Sequence, residues 1–264
     1  LGYHAIGEGV NGISIPASWF RKQGDWLLRQ GYRILNLRTC WDHVTQTGFA
    51  PDKTVVLTFD DGYRNVLTHA ARVLSDYGVT GTVFVATNYI GKTSAFNSQF
   101  GFTHLAMLGW DEIDELVGLG WDIQSHGHYH YPLYRLAPEL RDEEFVRSKA
   151  TLEGHLKRPV DFYCYPFGAF DEGTITAIRR AGYKAAVGGR PGVFHRIEAC
   201  DVYRLPRLSI YSSMDFRDFK LHFSTVYDHF THVRAKIRKW RGRDLSCSYE
   251  PQKFVKKNAK LEYA

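Results

Sequence analysis

Val55-Val-Leu-Thr-Phe-Asp-Asp-Gly62 is the stretch from which the rest of the chain is read. Its first five residues are apolar or β-branched without a polar alternate, the pattern of a strand buried on both faces in a parallel sheet. The strand runs into two carboxylates. Successive side chains on an extended backbone point to opposite faces, so Asp60 and Asp61 can share a site only if the chain turns, and Gly62 permits the turn. Two carboxylates a few ångströms apart repel, so one needs a cation or a raised pKa. An ion on one of them leaves the other free as a base. Taken alone, the stretch reads as an ordinary Asp-Asp-Gly turn.

Working outward, Val66, Leu67, Ala70, Val73, Leu74 and Tyr77 recur at helical spacing, and Gly78 is a C-terminal stop. Strands are predicted over 81–86, 121–124, 162–165 and 183–187, and helices over 110–119, 141–156 and 174–181. The segment 91–101 reads as a surface loop. Apolar strands separated by helices mean βαβ units, in either a doubly wound sheet or a barrel. Residues able to ligate a metal come just after strands, and parallel barrels build their active sites at the C-terminal strand ends.

Composition narrows the classes. The chain has 264 residues, 44% hydrophobic and 23% charged, which is globular and long enough for one sizeable core. Aromatic residues at 15% suit a groove that stacks on sugar rings, although a large aromatic core accounts for them as well. The net charge of +6 is unevenly placed. Residues 231–264 hold ten Lys and Arg against three Asp and Glu, which leaves 24 against 25 in the body. A neutral body argues against nucleic acid as a partner, since phosphate recognition needs a clustered basic face. The basic tail is a solvated end or a weak contact for an acidic polymer or membrane surface. Cys40, Cys164, Cys200 and Cys247 are too far apart for a CxxC metal knuckle and too few for a disulfide scaffold. No run approaches the ~20 apolar residues of a membrane span. No signal peptide is visible in the chain, which starts at Leu1.

Two further segments carry chemistry. In Ser125-His-Gly-His-Tyr-His130, His126 and His130 are four apart and can close on one ion from a helical turn. His128 competes as a ligand if the segment is extended. In Phe162-Tyr-Cys-Tyr-Pro-Phe-Gly168 a strand ends in a Pro-Phe-Gly turn that can expose backbone N–H groups.

These three segments, in this order, resemble the polysaccharide deacetylase family (the NodB homology domain, carbohydrate esterase family four). The family's TFDDG motif is complete at Thr58 to Gly62. Its His-Ser/Thr-x-x-His-Pro motif stands here as His126-Gly-His-Tyr-His130-Tyr. Its Tyr-Pro-Tyr-Gly turn, found in one branch, is Tyr165-Pro-Phe-Gly168. That branch also opens with Tyr-His and closes with Leu-Pro-Arg, here Tyr3-His4 and Leu205-Pro-Arg207. The resemblance covers about residues 1 to 211.

It implies a distorted, incomplete (β/α) barrel, with a catalytic domain over 1–215 and a basic, helical or partly disordered tail over 216–264. It implies one divalent ion on Asp61, His126 and His130, most readily Zn²⁺, with Ni²⁺ or Co²⁺ fitting the same donors. Asp60 is then the general base, and the Phe167 N–H holds the oxyanion beside Tyr165. His128 falls on a variable position. The implied reaction is metal-assisted hydrolysis of N-acetyl groups on an amino-sugar polymer, in an extracytoplasmic or envelope setting. Departures matter. Gly127 lacks the usual hydroxyl, Tyr131 replaces the usual Pro, and Cys164 stands where the longer motif has an Arg that pairs with the base. Arg207 is the candidate for that cation. The Leu-x-x-His general acid is missing, and His195 is its replacement by sequence order, with His4 a further pocket candidate. A same-fold hydrolase of a small amide or imide, and an inactive sugar-binding module, are the alternatives.

Overall fold

The computed structural model describes residues 1–7, 12–100, 104–188, 192–199 and 201–224. The chain runs β1 (Gly2–Tyr3), β2 (Ala5–Ile6), β3 (Ser14–Ile15), α1 (Ala17–Arg29), β4 (Arg33–Leu35), α2 (Leu37–Thr47), β5 (Thr54–Val56) and β6 (Thr58–Phe59). A π-helical turn, Val66–Ala71, leads directly into α3 (Arg72–Ser75). Then come β7 (Thr82–Val85), α4 (Trp110–Gly118), β8 (Asp122–Ser125), α5 (Pro138–Leu156), β9 (Phe162–Cys164), α6 (Glu172–Arg180), β10 (Ala185–Val187) and α7 (Phe216–Leu221).

The main sheet has the order β1-β6-β7-β8-β9-β10 and all its pairings are parallel. Its two edges are joined by one segment, residues 205–210. Leu205 bridges Val187 on β10, and Ser209 bridges Gly2 on β1. The Leu205 N–H donates to the Ala186 carbonyl at 2.9 Å and the Gly2 N–H to the Leu208 carbonyl at 2.8 Å. That bridge curls the sheet into a distorted barrel and decides between the two architectures the periodicity left open.

The strand expected over 55–59 changes partners in its middle. β5 pairs with β4, whereas β6 pairs with β1 and β7, and Leu57 is the pivot between them. Alternation along the strands then sorts the core. Phe59, Val83, Val85, Ile123, Tyr163 and Ala186 pack outward under the helices. Phe84, Phe162, Cys164, Val187 and Leu205 form a separate cluster with Leu37. Both faces are therefore apolar, which is why the strands read as unbroken apolar runs.

Helix ends follow local chemistry. Asn36 caps α2 by accepting from the Thr39 N–H, and Gly48 closes it in the left-handed conformation. Asp171 caps α6 through the Thr174 N–H. Pro138 at the first turn starts α5 three residues before the expected position 141. Phe219 of α7 is fully buried, and Trp26 packs edge-on against its ring. The packed body thus extends past the expected boundary at 215; the remainder of the basic tail lies outside the described residues.

The segment expected as a surface loop is different. Ser94, Phe96 and Asn97 are buried, and a 3₁₀ helix spans Ala95–Phe100. Polar Ser and Asn hid this in the sequence, because their burial depends on partners distant in the chain.

Gly81 precedes β7 where two aromatic rings meet. A Cβ there would lie 2.8 Å from the Phe59 ring and 2.9 Å from Trp121. Gly81→Ala is expected to destabilise the fold by about 1–3 kcal/mol through overpacking, read as a lower Tm in thermal melting.

Candidate active site

The site sits where β6, β8 and β9 end. After Phe59 the chain turns through Asp61 at φ +70° and Gly62 at φ +89°. The turn lets the two neighbouring carboxylates face different partners, and both are buried. After Ser125, Gly127 (φ +86°) and His130 (φ +60°) curl the histidine segment back on itself. After Cys164, Phe167 adopts φ +60°. Asp61, His130 and Phe167 are non-glycine residues in the left-handed region, and such strain is held only where surrounding structure over-determines it.

These turns bring Asp61, His126 and His130 together. The Nε2 atoms of His126 and His130 lie 3.2 and 3.1 Å from the same oxygen, Asp61 Oδ1. The three donor atoms lie within 4.8 Å of one another. His126 Nδ1 is 2.8 Å from the Cys164 carbonyl, so Nδ1–H donates there and Nε2 is turned toward Asp61. Asp61 Oδ1 and His130 Nδ1 are buried without a hydrogen-bond partner. An anionic oxygen left bare beside two imidazole nitrogens is what a divalent cation would satisfy, and one oxygen with two nitrogens suits a borderline-soft ion. His128 turns away, with Nδ1 on Thr87 Oγ1 at 2.8 Å. Burial pushes its imidazole down to about 4.

Asp60 faces the other way, into a cation. Arg207 Nη1 and Nη2 fork its two oxygens at 2.5 and 2.6 Å, and Nη1 also reaches Thr58 Oγ1 at 3.2 Å. Gly2 leaves room for the guanidinium, since a Cβ there would lie 2.8 Å from Arg207 Nε. Burial alone would raise the Asp60 carboxyl, but Arg207, then His126 and His4, outweigh it and hold it at about 2. Burial likewise opposes the charge on Asp61, and His130 with His126 carries it well below the ordinary range. Cys164 Sγ lies 3.5 Å from Asp60 Oδ2, in the place where an Arg was missing.

Two expected site residues lie elsewhere. Tyr165 belongs to the core: its side chain is buried and its hydroxyl donates to the Tyr203 carbonyl at 3.0 Å. Alternation turns it outward from the face that carries Cys164. His195 is exposed, and its carbonyl accepts from the Ala50 N–H on the segment that leads into β5, where strands begin rather than end. His4 is nearer, with Nε2 3.9 Å from Asp60 Oδ2 and Nδ1 buried without a hydrogen bond. The ring of Phe167 stacks edge-on against His130 at 4.9 Å, as Phe96 does, tilted, from the opposite segment at 4.4 Å.

Sequence reasoning missed Glu144. It lies on the buried face of α5, where an acid among Phe145, Ser148 and Leu152 was the available signal. Burial pushes its carboxyl up to about 7, against the pull of two backbone N–H groups.

The sequence profile of the polysaccharide deacetylase family matches residues 48–186. The chain belongs to the polysaccharide deacetylase family. It is thereby a hydrolase that removes N-acetyl groups from polysaccharide. It is 28% identical over 226 residues to YxkH of Bacillus subtilis, covering 86% of this chain and 76% of that one. It is 23% identical over 210 residues to the poly-β-1,6-N-acetyl-D-glucosamine N-deacetylase of Staphylococcus epidermidis, covering 76% and 69%. Among solved structures, a polysaccharide deacetylase from Bacillus cereus superposes with a TM-score of 0.70 at 25% identity, over 85% of this chain and 68% of that one. IcaB from Ammonifex degensii shares the fold at TM-score 0.72, with 24% identity over 83% and 92%.

The depressed pKa of Asp60 has a definite sign. The folded state keeps this carboxylate ionised after the unfolded chain has taken up a proton. The pair therefore stabilises the fold fully above 3.8, the ordinary value of an aspartate, and that contribution is lost as pH falls through about 2. Arg207→Leu strands a buried charge, at about 3–5 kcal/mol. The Tm gap to the unsubstituted protein should be widest near neutral pH and narrow in acid; a pH-independent gap in calorimetry would contradict the pairing.

Proposed function

We propose that the chain deacetylates a β-1,6-linked poly-N-acetylglucosamine with the help of one divalent ion, Zn²⁺ foremost, on Asp61, His126 and His130. The observation that carries this reading is the convergence of both imidazole Nε2 atoms on one bare oxygen of Asp61, next to an Asp60 held by Arg207. The polymer is inferred from the similarity to enzymes named for it. Such a substrate is met at the cell envelope, so the reading puts the chain's work outside the cytoplasm. Among the described residues no helix is long and apolar enough to cross a membrane. The contact of the basic tail with an acidic polymer or membrane surface is part of the same proposal and concerns residues outside those described.

When bound, such an ion supplies Lewis acidity, acidifying water and polarising the acyl carbonyl. Asp60 accepts the proton. Arg207 fixes its orientation and keeps it ionised, so that it can act as the base. The Phe167 N–H donates to the developing oxyanion. We give His4, whose Nε2 lies 3.9 Å from Asp60 Oδ2, the role that sequence order had suggested for His195, protonation of the departing amine. The alternative of an inactive module drew its weight from the Arg missing at Cys164 and from the altered histidine motif; against the first, Arg207 pairs with Asp60 from the segment that joins β10 to β1.

Acetate release from a panel of acetylated glycans, with metal content measured on the same sample, tests the reading. A chelator should abolish release and added Zn²⁺ restore it. Asp60→Asn should lose about 10²–10⁴-fold in turnover while keeping its metal, and His126→Ala should lose the metal. Full activity after exhaustive metal removal, or equal metal content in both variants, would overturn it.

A further inference from the structure

The histidine segment has no regular structure of its own, so its backbone groups must be satisfied from outside. The His126 N–H donates to the Val85 carbonyl at 2.9 Å. The carbonyls of Gly127 and His128 accept from the N–H groups of Thr87 and Asn88 at 3.1 and 3.0 Å. That ties one side of the loop to the end of β7. On the other side, the amides of His128 and Tyr129 are held by Glu144. Glu144 Oε2 accepts from the His128 N–H at 2.8 Å and the Tyr129 N–H at 3.0 Å, and Oε1 accepts from the Tyr129 N–H at 2.9 Å. These two amides lie between His126 and His130, and the carboxylate is buried on a 19-residue helix. Gly127 is matched to it: a Cβ there would lie 2.8 Å from Glu144 Oε2 and 2.8 Å from the Tyr163 hydroxyl. The family's hydroxyl at this position has no room in this chain.

We infer that Glu144 is the positioning residue for the imidazole pair, setting from α5 the spacing and aim of His126 and His130 toward Asp61. Its carboxylate bonds only loop amides and acts through the loop. The inference rests on the proposed ligation by Asp61, His126 and His130. Removing partners that orient ligands typically costs about 10–100-fold in metal affinity. Acceptor position matters here more than charge, because one oxygen, Oε2, already takes both amides. Glu144→Gln is therefore the rescuing variant, while Glu144→Asp withdraws the oxygens by one methylene.

The test is Zn²⁺ affinity of the full chain by chelator competition, together with the visible spectrum of the Co²⁺-loaded protein. Leu152→Ala, on the same buried face of α5 but two turns from the loop, serves as the destabilised comparison. Glu144→Asp and Glu144→Ala should weaken Zn²⁺ binding about 10-fold or more and alter the Co²⁺ bands. Glu144→Gln should stay within about threefold of the parent chain, since both amides keep their acceptor. Leu152→Ala should lower Tm with affinity and spectrum unchanged. If Glu144→Ala does not fold, Glu144→Asp decides. An Asp variant with parental affinity and bands, or a Leu152→Ala variant that loses metal to the same degree, overturns the inference. If the unsubstituted chain itself binds neither ion, it is the proposed metal reading that has failed.

Discussion

A guanidinium held against a carboxylate inside the barrel is the constraint on which the site depends. Asp60 and Arg207 are both buried, and neither charge could be left there alone without several kcal/mol of desolvation. Paired through two parallel hydrogen bonds, they fix the end of β6 against the segment that joins β10 to β1. The pair also assigns the two aspartates. Asp60 is neutralised by Arg207, and the adjacent Asp61, turned by its left-handed backbone, is the carboxylate that the imidazoles of His126 and His130 face. One Asp-Asp dipeptide thus serves two charges without the mutual repulsion that two unpaired carboxylates would suffer.

The site's precision comes from backbone as much as from side chains. Asp61, His130 and Phe167 sit at positive φ, and each follows the end of a different strand. The folded barrel meets that conformational cost in advance, so donors stand ready before any ligand arrives. Packing secures them from two directions, Phe96 and Phe167 on either side of His130 and Tyr163 beneath the loop.

Much of this was legible in the chain. The unbroken apolar strands pointed to parallel βαβ units because both sheet faces are covered, and the polar clusters stood out because they interrupt that pattern at strand ends. The Asp-Asp-Gly turn and the alternate histidines were visible for the same reason. What stayed hidden depends on contacts distant in sequence. Chain order suggested His195, but its neighbours pair it with residues 48–50. The parity of Tyr165 in its strand turns it into the core, although the motif drew the eye to it. Glu144 looked like one more acid on a charged helix, and only the tertiary fold shows what its oxygens meet. The burial of residues 94–97 is of the same kind.

The bridge at residues 205–210 carries a consequence for how the protein comes into being. The three candidate ligands all lie between positions 61 and 130, whereas the partner of Asp60 comes from position 207, 147 residues further along. A ribosome would expose the complete ligand set long before the cation exists. Until that segment docks, Asp60 lacks the guanidinium that is its main charge partner. Competence is therefore tied to the arrival of this segment: a nascent chain that has not yet reached it lacks the guanidinium that orients a base beside the candidate ligands.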